Sequence, residues 1–318
     1  MTPFDAWILG MVEGITEYLP VSSTGHLIIT SWLLGLDTTA EQRDAVGDFE
    51  IIIQGGAILA VLGLYRARIG QMVRGTVSRL GVGGLGPTDR MQAGWKIARN
   101  VVIAFLPAAA VGFLAKDAVK THLFNPASVV GALIVGGLVM LAIAPWQSRR
   151  LAADRDAALR AATTAAVTGS GGDFTGAALA RMNAMQALFI GVLQCLALWP
   201  GTSRSFVTIL AGLLVGLGGV AAAEFSFLLG LVTLTAASGY SVLKIVKAHR
   251  MDEFLVQIGG WLPLICGLAV AWASAALSID FLVRYLGRHT LALFGWWRLA
   301  VAAAVIVIAW QFGLTIAP

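Results

Sequence analysis

The stretch Glu13 to His26, EGITEYLPVSSTGH, sets two acids, three consecutive hydroxyl residues and a histidine inside an otherwise apolar segment. An acidic residue at the centre of a bilayer costs roughly 3 kcal/mol on insertion scales, so such residues face a cavity, a partner or a substrate. Glu13 and Glu17 are four apart and share one helix face. Pro20 ends that helix, and Ser22 and Ser23 suit the N-cap of a second helix running through Leu27 to Leu34. The unpaired amides at the start of that second helix form an anion site pointing back toward the acids. The stretch therefore offers a carboxylate pair able to hold a divalent metal, a phosphate-sized anion hole, and Ser/His candidates for attack or proton transfer.

Around it, composition fixes the class. The 318 residues are 58% hydrophobic and 12% charged, with a mean hydropathy of +0.82. A soluble globule carries about 25% charged residues, so this is a polytopic membrane protein. Long apolar runs without alternation read as helices and not as barrel strands, which makes the fold all-α. Cys195 and Cys266 both sit in apolar stretches, which suggests packing and neither a disulfide framework nor a metal site. The start of the chain has no basic region before its first apolar run and carries Asp5, unlike a cleaved signal peptide.

Taken in order, a first broken segment (4–36) precedes apolar runs near 49–65, 97–115 and 126–145. A polar stretch from Gln147 to Arg181 reads as a linker or surface helix of low order. A second broken segment (185–216) then precedes runs near 221–246, 254–277 and 291–314, each about the 20 residues that span a bilayer. The two series match in order and in punctuation. Pro20-Val-Ser-Ser answers Pro200-Gly-Thr-Ser, Phe49-Glu50 answers Glu224-Phe225, Leu106-Pro107 answers Leu262-Pro263, and Phe124-Asn125-Pro126 answers Phe294-Gly295. The expectation is a single membrane domain built as an internal duplication, repeats 1–146 and 182–318 joined by the linker 147–181. Each half would hold one re-entrant helical hairpin and three transmembrane helices, and an odd number of spans turns the second half upside down.

Loop charge orients this arrangement. Fourteen basic residues fall on one side, seven from Arg66 to Arg99, five from Arg149 to Arg181, then Arg284 and Arg288. Six fall on the other: Arg43, Lys116, Lys120, Lys244, Lys247 and Arg250. The richer side is expected in the cytoplasm, with both termini and the acidic loop Asp37 to Asp48 outside. The net charge of +5 is mostly this bias and gives little reason to invoke nucleic acid.

The second break, Pro200-Gly-Thr202-Ser203-Arg204-Ser205, supplies what the first lacks. Arg204 is the lone basic residue between Arg181 and Lys244. An arginine so isolated needs an anion, and its planar fork suits phosphate. If the two breaks of an inverted repeat meet near the midplane, Arg204 and a second helix N-terminus approach Glu13, Glu17, Ser23 and His26. A metal, an arginine and two helix N-termini around one cavity can stabilise a phosphoryl group in transfer.

EGITEYLPVSSTGH, the stretch from Phe49-Glu50 to Gln54, Leu123-Phe-Asn-Pro126, and QCLALWPGTSRS with the later EFSFLL resemble the undecaprenyl-diphosphate phosphatase family, also called bacitracin-resistance proteins. The similarity covers nearly the whole chain outside the 147–181 linker and the 79–90 loop. It implies a multi-pass hydrolase of the bacterial inner membrane that takes the terminal phosphate from undecaprenyl diphosphate and returns undecaprenyl phosphate to peptidoglycan synthesis, conferring bacitracin resistance. A divalent cation, Mg²⁺ or Ca²⁺, is implied as cofactor, and a site opening to the periplasmic face. Carried over position by position, the acidic pair falls on Glu13 and Glu17 as catalytic residues and metal ligands, the serine on Ser23, the histidine on His26 and the phosphate-binding arginine on Arg204. Ser22, Thr24, Thr202, Ser203 and Ser205 flank them as substrate contacts. Family members commonly have Gly after Ser-Arg-Ser, where this chain has Phe206.

Blander roles stand beside these. Glu13 and Glu17 could form a structural ion-pair site for Arg204, Ser22 and Ser23 could be caps alone, and His26 a satisfied buried histidine. Spaced three residues after Ser23, His26 could equally orient or deprotonate that hydroxyl. Glu50 and Glu224 match in the two halves, which favours a symmetric structural role, and Trp296, Trp297 and Trp310 read as interface anchors. Two function classes follow, hydrolysis of a membrane-embedded diphosphate lipid and transport or flipping of a phosphorylated lipid, since inverted repeats with broken helices also serve alternating access. The Ser/His pair beside two acids favours chemistry. The expected partners are the lipid substrate and the bilayer, with a homodimer left open.

Overall fold

Apolar runs punctuated by Pro and Gly fold here as helices throughout. The computed structural model describes residues 1–36, 38–81, 88–123, 126–168, 174–247 and 251–311, with no strand among them. Asp37, Arg250 and the Phe124-Asn125 pair lie outside the described residues, and with that pair its match to Phe294-Gly295. The first half comprises α1 (Pro3–Tyr18), α2 (Ser23–Leu33), α3 (Ala40–Leu64), α4 (Arg66–Arg79), α5 (Asp89–Leu123) and α6 (Pro126–Thr168). The second comprises α7 (Phe174–Arg181), α8 (Ala184–Gln194) with a 3-10 turn at Cys195–Leu198, α9 (Arg204–Leu214), α10 (Gly219–Lys247), α11 (Met251–Ile258), α12 (Trp261–Leu286) and α13 (Ala292–Gln311). Among the described residues six helices are long and apolar enough to cross a membrane: α3, α5, α6, α10, α12 and α13.

The two hairpins start alike. Thr2 and Asp5 close a capping box on α1, and Asn183 and Gln186 close one on α8. Their packing is reciprocal: α1 lies on α12 of the other half and α8 on α5, while α3 meets α10 and α6 meets α13. Small residues permit these close crossings, as the small-residue rule for membrane helices requires. A Cβ at Gly10 would stand 2.5 Å from the carbonyl of Gly267, and one at Gly295 only 3.0 Å from that of Gly137. The hairpins enter from opposite ends of the bundle. Met1 packs near Gly259, beside α11 and the start of α3. At the far end, Gln186 of α8 donates to the carbonyl of Val215, just after α9.

Three boundaries differ from the sequence expectation. The run 254–277 is split, because Gly259 and Gly260 adopt φ of 87° and 98°, which separate the surface helix α11 from the spanning α12. The supposed linker 147–181 is largely a continuation of α6, which passes Pro145 and runs to Thr168 through an Ala-rich sequence of high helix propensity. Most of the acidic loop is helix: Thr39 caps the amide of Gln42, α3 begins at Ala40, and Glu41 lies in its first turn with Asp44 and Asp48 further along. There the carboxylate of Glu41 meets the positive end of the helix dipole.

Candidate active site

The breaks in the two hairpins meet inside the bundle. Tyr18 ends α1, Leu19 adopts extended backbone before Pro20, and Ser22 restarts the chain as α2. In the second half Ser203 restarts it as α9. These two caps are the only non-glycine residues with positive φ among those described, 76° at Ser22 and 72° at Ser203. Such backbone costs on the order of 1–3 kcal/mol per residue and persists where surrounding structure enforces it, typically at functional sites. Each cap hydroxyl accepts from the third residue of its helix, Gly25 at 3.4 Å and Phe206 at 3.3 Å. The capped positions correct the repeat register by one residue, since Ser22 answers Ser203 and Ser23 answers Arg204. The second loop is one residue longer between proline and cap, with Gly201 and Thr202 where the first has Val21 alone.

Ser23 and Arg204 thus occupy the same position, the first residue of a helix, one in each half. Both reach Glu17. The Ser23 hydroxyl donates to Oε2 at 2.7 Å, and Arg204 Nη2 donates to Oε1 at 2.8 Å. Arg204 Nη1 also donates to the Ser226 carbonyl at 3.0 Å, while its Nε is buried without an acceptor. Its guanidinium lies flat against Gly230 of α10, where any Cβ would collide with it, and sits 5.5 Å from the Tyr18 ring. A small polar cavity of about 130 Å³ opens beside this relay, lined by Glu17, Ser22, Ser23, Thr24, Gln54, Ser203 and Arg204 among others. The first amides of α2 and α9 have no intrahelical acceptor and lie at the same place, so the cavity gathers donors and positive charge.

Other expected residues are placed differently. Glu13 is fully buried one turn before Glu17, outside the cavity lining, with Gln54 beside it and no hydrogen bond of ordinary geometry to its oxygens among the described residues. Thr202 and Ser205 do not line the cavity: Ser205 donates to the Leu19 carbonyl at 2.9 Å, tying one break to the other, and Thr202 offers its own carbonyl to Arg298. Phe206 is buried with the Arg298 guanidinium 5.3 Å above its ring, so it packs behind the loop and not against the cavity. Glu50 and Glu224 differ in partner, Ser31 for the first and Arg68 for the second, which separates their roles.

His26 makes no hydrogen bond to Ser23. Its Nδ1 lies 2.8 Å from the Ser22 carbonyl, and the Trp297 indole Nε1 donates to its Nε2 at 2.9 Å with the rings nearly parallel. An indole only donates, so Nε2 is the acceptor and Nδ1 carries the proton toward Ser22; this tautomer is assigned from the partners. The hydrogen-bond partner of Ser23 is thus Glu17, and that of His26 is the cap. Trp297 itself was legible in the sequence only as an interface anchor, because nothing in a tryptophan's position signals a histidine 271 residues earlier.

Arg298 is the second residue the sequence reading passed over. It lies wholly buried on α13 and donates to the carbonyls of Gly201 and Thr202 at 2.8 and 2.9 Å, of Pro20 at 3.5 Å, and of Ala132 and Leu133 on α6. Gly136 leaves room for it, since a Cβ there would strike the guanidinium. A charge in a 20-residue apolar span was the available signal.

The family model described as bacitracin resistance protein BacA matches residues 6–304. The chain belongs to the BacA family. Among its relatives, a protein named undecaprenyl-diphosphatase from Sorangium cellulosum is 41% identical over 303 residues, covering 95% of this chain and 85% of that protein. Undecaprenyl-diphosphatase 2 of Rhodospirillum rubrum is also 41% identical, with 96% and 94% covered. Undecaprenyl-diphosphatase 1 of Chromobacterium violaceum is 39% identical, with 97% of each covered. The BacA match takes in both breaks and five of the six spanning helices whole, and the sixth, α13, as far as residue 304.

Proposed function

We propose that this BacA-family protein hydrolyses undecaprenyl diphosphate to undecaprenyl phosphate and inorganic phosphate in the bacterial inner membrane. Family membership and the names of its relatives support the substrate. The observation that carries the chemistry is the Ser23 hydroxyl held on Glu17, with Arg204 on the other oxygen of the same carboxylate. A carrier of phosphorylated lipid needs donors and positive charge, whereas a hydroxyl aligned on a carboxylate is the arrangement of an activated nucleophile.

In this mechanism the terminal phosphate enters the cavity and takes donors from Arg204 and the first amides of α2 and α9. Glu17 is then left with the Ser23 hydroxyl as its partner. Ser23 Oγ forms a bond to the terminal phosphorus, its proton passes to Glu17, and the bond from that phosphorus to the bridging oxygen breaks with release of undecaprenyl phosphate. Water then attacks the phosphoserine, giving inorganic phosphate and returning the proton to Ser23. His26, through its contact with the Ser22 carbonyl, holds the strained cap that aims Ser23.

A divalent cation fits the pair Glu13 and Glu17. The buried Glu13 carboxylate has Gln54 beside it and no hydrogen bond of ordinary geometry among the described residues, too few partners for a charge, and Glu17 four residues on stands close with its oxygens serving Ser23 and Arg204. Among the described residues no group of three or more His, Cys, Asp or Glu is gathered for a metal and Glu13 itself does not line the cavity, so the pair would hold a cation through Glu17, its cavity-lining member, with phosphate oxygens and water completing the shell as is common for Mg²⁺. Bound there, the cation would supply charge neutralisation to the diphosphate.

The basic asymmetry supports a cytoplasmic position for α4 and α7 and an opening of the first hairpin to the outside. One chain supplies both breaks, so a homodimer is not needed to complete the site.

Release of phosphate from undecaprenyl diphosphate by purified protein tests the function. Excess chelator should abolish it and Mg²⁺ or Ca²⁺ should restore it, while Glu13→Gln should raise the cation concentration required. Full turnover in chelator would remove the cation from the mechanism. Ser23→Ala should lose turnover and keep lipid binding, and a variant still working near the parent rate would leave Ser23 a structural residue. Trp297→Phe keeps the ring and deletes the donor to His26, so turnover should fall several-fold at unchanged cation dependence. Equal rates in parent and variant would return Trp297 to the role of an interface anchor.

A further inference from the structure

A second and larger cavity, about 640 Å³, opens at the α3–α4 corner against the start of α5. Its position along α3 separates it from the catalytic cavity: Leu64 follows Gln54 by ten residues, about 15 Å at the helical rise. Four arginines line it, Arg66, Arg68, Arg74 and Arg90, against one carboxylate, Glu224. That carboxylate is used. It takes Arg68 Nε at 2.6 Å, and Arg68 Nη1 donates to Gln71 at 2.7 Å, which fixes the innermost arginine as a wall. Arg66 makes one long bond, 3.4 Å, to the Gly63 carbonyl. The exposed side chains of Arg74 and Arg90 have no hydrogen bond or ion pair among the described residues.

We propose that this cavity is a binding site for the phosphate headgroup of a membrane lipid, distinct from the catalytic cavity. Three guanidinium groups without a carboxylate partner among the described residues converge on one concavity, where low-dielectric walls concentrate their field, and each presents a fork matched to phosphate oxygens. The setting favours a lipid over free phosphate. Leu64, half-exposed at the end of a spanning helix, forms part of the rim, and α4 carries Val73 and Leu80 exposed beside its arginines. Basic pockets at the ends of transmembrane helices take anionic headgroups in this way, with apolar neighbours meeting the acyl chains. α4 is held firmly for the purpose, because Gly75 and Gly94 bring it into backbone contact with α5.

The full-length protein in a neutral detergent would be titrated calorimetrically with dioctanoyl phosphatidylglycerol, dioctanoyl phosphatidylcholine and inorganic phosphate. Phosphatidylglycerol should bind saturably and more tightly than phosphatidylcholine, and R74Q/R90Q should weaken it at least tenfold. Both changes are on exposed side chains outside the catalytic machinery, so phosphate release from undecaprenyl diphosphate should stay at the parent rate and report an intact fold. Inorganic phosphate binding as tightly as phosphatidylglycerol, and weakened by the same pair, would keep the site and make free phosphate its ligand. Phosphatidylglycerol affinity unchanged in R74Q/R90Q overturns the proposal. So does affinity lost in Arg204→Lys instead, which would assign the binding to the catalytic cavity.

Discussion

Glutamine at position 17 should lower the rate of phosphate release about 10³-fold in a chain that still folds. Glu17 is the one carboxylate that touches both halves of the chemistry, accepting from Ser23 at 2.7 Å and from Arg204 at 2.8 Å. The amide keeps the shape, yet one of its two ends becomes a donor. It then faces either the guanidinium or the hydroxyl with an N–H where an acceptor stood. A positioned base contributes roughly 10²–10⁴-fold, and displacement of Arg204 adds to the loss. Because Ser23 and Glu17 act as one unit, Ser23→Ala/Glu17→Gln should be little worse than either single variant. The check is kcat at saturating cation in all three. A Glu17→Gln variant retaining a tenth of the parent rate would send the Ser23 proton elsewhere, and multiplicative losses in the double variant would separate the two residues.

The contrast between Glu17 and Glu13 shows how far the sequence could be read. Their spacing put both on one helix face, and the isolation of Arg204 called for an anionic partner. Which acid meets the arginine depends on where the second hairpin enters, a long-range property that i,i+4 spacing does not contain. The spanning helices were legible because apolar runs of bilayer length leave few alternatives. The boundary at Gly259-Gly260 was hidden because both neighbouring segments are apolar, and only the positive φ of two glycines ends one and starts the other. Ser23 and His26 share a face as expected, but the ring is drawn to Trp297 and the Ser22 carbonyl. Spacing gives proximity; the partner is decided by which other helix packs there.

Arg298→Met should cost both stability and turnover, the latter on the order of 10²-fold, although the side chain lies outside the catalytic cavity. The guanidinium has no carboxylate partner among the contacts described; its donors are spent on backbone carbonyls, with Gly201 and Thr202 from the second break and Pro20 from the first. These carbonyls sit where the chain has left its helices, so no ladder satisfies them. Methionine fills the volume and supplies no donor, and each buried carbonyl left alone costs about 1–3 kcal/mol. The catalytic loss follows from position: Arg204 is two residues past Thr202, and a shift of about 1 Å in a reacting group can cost 10²-fold. Arg298→Lys separates charge from geometry. One ammonium can keep the positive charge and reach one break, but it cannot hold Pro20 and Gly201 together through a rigid fork, so lysine should recover thermal stability more than turnover. The measurements are Tm and kcat/KM for phosphate release in both variants. Turnover within threefold of the parent in Arg298→Met would show that the strained caps at Ser22 and Ser203 hold the two breaks without it.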